Sequence, residues 1–360
     1  MLRPAVFAVA PSERVLVPMV TSTLFPHLPQ AYRNPFRIGM VGMLAGVVIF
    51  SASGLLGPLV TLAALGVPLL FLLYMWQSDL LRDTPNHALV IAAVLGAVLG
   101  AGWVLGTGGL VARAYGIPMA VGFTLENVVG VGLFISVGGA FLMVLPAVVV
   151  RLLRPPTRDS LDGFVIGALG ALAFSGAGTT VRLAPQYVSG LIDSVRPLRR
   201  FIEAVLYGVA VPLTAASLGG LIGILLWFRP GPRAERHPGR VRAVLVLLAL
   251  LVVLIYSTIW LVDAARLPKL PQLGLHILLT AIALLGARVT LQLALLYEEP
   301  DPYTGRPVLC VHCEKVVPDM PFCPACGVAA RAASHTSRRR RREFPPLRRD
   351  GHDSTASADV

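Results

Sequence analysis

Residues 162–181 read DGFVIGALGALAFSGAGTTV. After the aspartate that opens it, the stretch carries no charge, and its length matches the ~20 residues that an α-helix needs to cross a bilayer. Gly163 and Gly167 lie four residues apart, a spacing that lets two helix backbones approach closely in lipid. The stretch therefore predicts a membrane-spanning helix that packs tightly against a neighbour.

Similar apolar runs fill most of the chain. It is 55% hydrophobic and 14% charged with a mean hydropathy of +0.73, whereas soluble domains average about a quarter charged residues. The sequence predicts an all-α polytopic membrane protein, with a tight hairpin at SASGLLGP between its first two spans. The eight predicted spans are 38–56, 58–76, 88–110, 128–150, 162–181, 203–228, 243–263 and 273–296.

Glycine pairs with the same four-residue spacing recur in these spans. We interpret them as sites of packing within the bundle rather than of dimerisation. Besides Gly163 and Gly167, the pairs are Gly42 and Gly46, Gly96 and Gly100, and Gly219 and Gly223.

The distribution of basic residues predicts an orientation. With eight spans both termini share one side of the membrane, and the short loops on that side carry more arginines than those on the other. By the positive-inside rule both termini are cytoplasmic in a cell-membrane protein. The basic loop 182–200 departs from the rule, either as a helix lying on the outer surface or as a simple exception.

All four cysteines lie in LCVHCEKVVPDMPFCPACG, residues 309–327. Two C-x2-C pairs are typical of a tetrahedral zinc site with four thiolates; two disulfides would need an oxidising compartment, and a redox dithiol needs only one pair. Four thiolates leave no open position for substrate, so one structural Zn²⁺ is predicted. Its ligands are Cys310, Cys313, Cys323 and Cys326, with His312 as a bystander.

The tail after this zinc ribbon has almost no large apolar residues and is predicted to be disordered. Its run Arg338–Arg342 is suited to anionic lipid. Nucleic acid fits less well, because Phe322 is the one aromatic residue between the cysteine pairs. The predicted organisation is an N-terminal cytoplasmic segment, a transmembrane domain, a linker, the zinc ribbon and the tail, at 1–37, 38–297, 298–308, 309–330 and 331–360.

Three stretches together resemble a known family. DGFVIGALGALAFSGAG (162–178) resembles the glycine-spaced helix of PrsW-type intramembrane metalloproteases. LLFLLYMWQSDLLRDTP (69–85) resembles an early helix of that family, and FPHLPQAYRNPFRIG (25–39) resembles the entry segment of actinobacterial membrane proteins that end in a zinc ribbon.

The resemblance implies a metal site built from a Glu-Glu pair, a Glu-Asn pair and a histidine. At the matching positions this chain has Gly139 and Ala140, then Gly178 and Thr179, then Ala210 or Val211. A Glu-Asn pair does occur at Glu126 and Asn127, but ahead of the helix that should carry it. The resemblance therefore predicts a protease-like bundle that has lost its catalytic residues.

These observations leave three hypotheses for function. The first is a non-enzymatic membrane protein whose bundle anchors a cytoplasmic zinc ribbon for a protein partner. The others are an active metalloprotease with a rearranged site, and a transporter or channel lined by Glu126 and Arg288. For Arg288 we expect burial in the bundle and a partner such as Glu126 or Asp263, and for His276 a place at the membrane interface.

Overall fold

The computed structural model shows a predominantly helical protein. Eight of the helices described are long and apolar enough to cross a membrane, which confirms the predicted number. The residues that the structure describes are 24–25, 30–78, 80–115, 125–155, 159–189, 197–231, 238–264, 267–298, 308–310, 315–317 and 323.

Ten α-helices, one π-helical segment and one two-stranded sheet make up this part of the chain. The helices are α1 (Gln30–Ser53), α2 (Leu56–Gln77), α3 (Leu80–Asp83), α4 (Asn86–Tyr115), α5 (Leu125–Leu152), α6 (Ser160–Ser189), α7 (Pro197–Val205), α8 (Val211–Trp227), α9 (Pro238–Ala264) and α10 (Lys269–Tyr297). The π-helical segment Leu206–Ala210 joins α7 to α8, and β1 (Val308–Leu309) pairs antiparallel with β2 (Val316–Val317).

The observed helix boundaries differ from the predicted ones by several residues at most ends, and two of the differences are informative. The first span was expected at 38–56, but α1 ends at Ser53 because Gly54 has a φ of +76°, the left-handed conformation in which glycine commonly ends a helix. Residues 182–200 are not one surface loop. Here α6 continues to Ser189, and the next membrane helix begins at Pro197.

Helix α6, which contains the stretch quoted first, lies at the centre of the bundle. It packs against α8, α4, α2 and α5, and α6 and α8 are the most deeply buried of the spanning helices described. An antiparallel α6–α8 pair thus forms the middle of the fold.

Glycines make this central contact possible. A Cβ on Gly163 would meet the carbonyl of Gly223, and one on Gly167 would meet the carbonyl of Gly219. On the other face of α6, Gly96 and Gly100 of α4 lie in the same way against its backbone. Three of the four predicted pairs therefore pack backbone to backbone. The fourth does not, because Gly46 faces the side chain of Leu62 and Gly42 faces open space.

We call the two ends of the bundle the hairpin side and the tail side. The hairpin side carries the α1–α2 turn at Gly54 together with the start of α10, and the tail side carries the end of α10. Large apolar side chains on α1, α4, α5 and α9 remain exposed around the bundle between these two sides, as expected of a surface in contact with lipid.

Candidate functional sites

On the tail side, Glu298 joins the last membrane helix to the central one. Its Oε1 accepts hydrogen bonds from the backbone N–H of Ser160 at 2.6 Å and from the Ser160 hydroxyl at 2.8 Å. Ser160 begins α6, so a carboxylate lies at the positive end of that helix. Gly231, just after α8, also donates to the carbonyl of Tyr297 at 2.9 Å. The tail-side ends of α6, α8 and α10 are thereby tied together.

Arg288 lies deep in the bundle. Its side chain is 1% exposed, which confirms the expected burial. Arg288 lies ten residues, or roughly 15 Å of helix, before Glu298. The expected pairing with Asp263 is wrong. Asp263 lies beside His276, and roughly 18 Å of α10 separates His276 from Arg288. Glu126 stands in the first turn of α5, but its side chain is outside the described residues, so its role stays a prediction.

The hairpin side holds a polar cluster around Asp263. Its Oδ1 accepts a hydrogen bond from the Gln272 amide at 2.7 Å and lies 2.8 Å from His276 Nε2. The His276 side chain is fully buried, so the prediction of an interface residue is wrong. Gln272 and His276 face Asp263 because they are one turn apart on α10, while Asp263 lies near the end of α9.

One atom of this cluster lacks a partner. His276 Nδ1 is buried and has no hydrogen-bond partner within the part of the chain that the structure describes. A buried polar atom without a hydrogen bond costs about 1–3 kcal/mol, so such an atom is informative. On the same helix, the buried side-chain amide of Gln292 likewise has no hydrogen-bond partner among the described residues, at its nitrogen or at its oxygen.

Charged and aromatic groups surround the cluster. The Arg182 guanidinium lies 4.6 Å from the ring centroid of Trp260 and 5.6 Å from that of Tyr207, in favourable cation–π positions. Tyr207 belongs to the π-helical segment, a feature often found at functional sites. Closer to the surface, Glu203 pairs with Arg199 at 3.2 Å and with Lys269 at 3.5 Å.

The predicted zinc ligands are described in part. Cys310 directly follows β1, and its N–H donates to the carbonyl of Lys315 at 2.9 Å, which closes the hairpin. Cys310 and Cys323, the first cysteines of the two pairs, are buried in one small cluster with Val308 and Val317. Cys313 and Cys326 lie outside the described residues, so the full ligand set stays a prediction.

The positions at which the PrsW-type resemblance implies catalytic residues are occupied by small side chains. Cβ atoms built on Gly139 and Gly178 would lie 3.1 Å from Trp103 and 3.3 Å from Val104 respectively, so both positions border the same turn of α4. Ala210 ends the π-helical segment. None of the residues at these positions has a carboxylate or an imidazole side chain.

A comparison with models of protein families, with curated proteins and with solved structures found no match to this chain.

Proposed function

We propose that this protein is a membrane-anchored zinc ribbon. The observation that carries the proposal is the burial of Cys310 and Cys323 in one cluster beside the β1–β2 hairpin. Each of these cysteines begins a C-x2-C pair, so their proximity supports bringing both pairs to one metal ion. Sulfur donors in this number suit Zn²⁺.

The proposed metal has a structural role. Val308 and Val317 are the large apolar residues of the described cluster, and a unit of this size needs a metal or a covalent link to fold stably. Four thiolates complete the coordination of Zn²⁺ and leave no position for water or substrate. The ion would fix the shape of the ribbon and catalyse nothing.

In this proposal the bundle serves as an anchor. With both termini cytoplasmic, Glu298 ends the membrane domain and the ribbon begins about ten residues later, close to the inner surface. Arg338–Arg342 would add attraction to anionic lipid, worth about 1 kcal/mol per basic residue near the surface. The ribbon would then present a compact surface to a cytoplasmic protein partner.

We propose that the protease-like bundle is not an enzyme. An active metalloprotease with a rearranged site would need at least three metal-binding side chains within reach of one ion. Among the described residues no group of three histidine, cysteine, aspartate or glutamate side chains has the geometry to hold a metal. Asp263 and His276 form a pair, not such a group.

Metal content per chain tests the proposal. The full-length protein, purified in detergent, should contain one zinc, and the double variant Cys310→Ser, Cys323→Ser should contain none. His312→Gln is the matched control, because it changes a potential ligand between two cysteines and should keep the zinc. A wild type without zinc would overturn the ribbon proposal. A metal retained by the double variant would instead place a metal in the bundle and favour the protease alternative.

A further inference from the structure

The polar cluster on the hairpin side has a chemistry that the zinc ribbon does not explain. An ionised carboxylate can only accept hydrogen bonds, so with Asp263 ionised the 2.8 Å contact requires the proton of His276 to be on Nε2. The neutral ring then carries a lone pair on Nδ1. That atom is buried and no described residue donates to it. The ring is thus held in one orientation with its basic nitrogen available.

Among the described residues, Asp263 is the charged group in hydrogen-bond contact with His276. Among the described residues Asp263 makes hydrogen bonds with Gln272 and His276 and no ion pair with lysine or arginine. Two other charged groups described on that side have partners of their own. Glu203 of α7 is engaged by Arg199 and Lys269, and Arg182 of α6 lies against Tyr207 and Trp260.

A proton added at Nδ1 would convert a hydrogen bond between a neutral ring and a carboxylate into an ion pair. The product is an imidazolium ring whose Nε2–H donates to the Asp263 carboxylate, so the attraction between opposite charges is added to the hydrogen bond. The net charge of the pair changes from −1 to 0. Neutralising a charge within a membrane domain lowers the cost of holding it there.

The cluster is closed towards the tail side. One turn beyond His276, the hydroxyl of Thr280 lies 3.1 Å from that of Thr214 in α8, and the Thr214 hydroxyl donates to the carbonyl of Ala210 at 2.9 Å. Among the described residues the next buried layer is largely apolar, with Ala283, Leu284, Ala287, Leu218 and Leu221. Its polar member Ser217 donates its hydroxyl to the carbonyl of Leu213 at 2.8 Å. By contrast, the Asp263 side chain remains 15% exposed, so access is from the hairpin side.

We propose that Asp263 and His276 form a proton-binding site that takes one proton from the hairpin side of the membrane onto His276 Nδ1. The proton comes from water on that side and returns to it, with no other bond formed or broken. Gln272 is a positioning residue that holds the carboxylate. This inference does not depend on the zinc ribbon, and the two can fail separately.

The protonation state of His276 can be read directly. Full-length protein labelled with ¹⁵N-histidine, in detergent micelles, would be titrated from about pH 8 to about pH 5, since ring nitrogens report which of the two carries a proton. The resonances that disappear in the variant His276→Gln are those of His276. The control variant is His87→Gln, at an exposed position of α4 on the tail side. We expect a proton on Nε2 alone at high pH and on both nitrogens at low pH.

Asp263→Asn tests the role of the carboxylate. It removes the charge but keeps the size of the side chain, and proton affinity at His276 should fall by roughly fivefold or more. If His276→Gln does not fold, a variant in which the six other histidines are glutamine leaves His276 as the one signal. A neutral ring with its proton on Nδ1, a ring that does not change over the titration, or equal affinity in Asp263→Asn would each overturn the proposal.

Discussion

Glu298 accepts two hydrogen bonds from Ser160 at the first turn of α6, and it is also the last described residue before the ribbon. A carboxylate in this position both caps the helix and interacts favourably with its dipole. The chain therefore leaves the membrane domain at a residue that is fixed to the central helix.

Replacing Glu298 with alanine should lower the free energy of unfolding by about 1–2 kcal/mol, because the first N–H of α6 and the Ser160 hydroxyl lose their acceptor. Thermal unfolding in detergent measures the change. Glu203→Ala is the control, since its ion pairs are partly exposed and such pairs are worth about 0–1 kcal/mol. Equal effects of the two substitutions would contradict the capping role.

Arg288 is the largest charged side chain in the interior of the described bundle. Arg288→Ala should destabilise the protein by about 2–5 kcal/mol, the range for removing a large side chain from a packed core. The check is the yield and unfolding temperature of monodisperse protein. Arg240→Ala, at an exposed position near the start of α9, should behave like wild type. An Arg288→Ala protein as stable as that control would show that the residue is dispensable for packing.

At the scale of elements, the α6–α8 contact depends on the absence of side chains. Gly167→Ala would place a methyl group against the carbonyl of Gly219, and overpacking of this kind typically costs about 1–3 kcal/mol. Gly102→Ala on α4 is a matched control because nothing lies within 4 Å of the added atom. Unfolding temperatures in detergent should fall for the first variant and not for the second; a fall in both would argue against a specific contact.

The spans were predictable, and the contacts between them only partly so. Apolar length and glycine spacing are local properties, so 162–181 could be recognised as a closely packed helix from its own residues. The cluster of Asp263, Gln272 and His276 could not, because it depends on how α9 turns into α10. A signal was nevertheless present, since Gln272 and His276 stand one helical turn apart, just after an aspartate at the end of a span.

Some expectations failed for identifiable reasons. His276 was placed at the interface because only its distance from the helix end was considered, and not the face of α10 on which it lies. The predicted pairing of Arg288 with Asp263 did not consider helix length, because Asp263 lies beside His276 and roughly 18 Å of α10 separates His276 from Arg288. The loop at 182–200 was misread because the fifth span was expected to end at residue 181, whereas α6 continues to Ser189 and Arg182 lies against the rings of Trp260 and Tyr207.

At the scale of the whole molecule, orientation in the membrane decides which compartment each of the two proposed sites faces. The ribbon requires the tail side to be cytoplasmic, and the Asp263–His276 site would then face outwards. In a background with all four cysteines replaced by serine, Leu267→Cys should react with a membrane-impermeant maleimide in intact cells. Leu153→Cys, exposed on the tail side, should react only after permeabilisation. The reverse pattern would invert the orientation.

The glycine contacts of α6 also bear on how this sequence can diverge. At Gly163 and Gly167 the obstacle to a side chain is a backbone carbonyl of α8, which every amino acid possesses. A substitution there cannot be rescued by a smaller residue across the interface, because no smaller residue exists. In proteins that descend from this one, residues at the lipid-facing positions of α1, α4, α5 and α9 should therefore be replaced freely. The glycines of the α6–α8 contact should be retained, because no second substitution compensates for their loss.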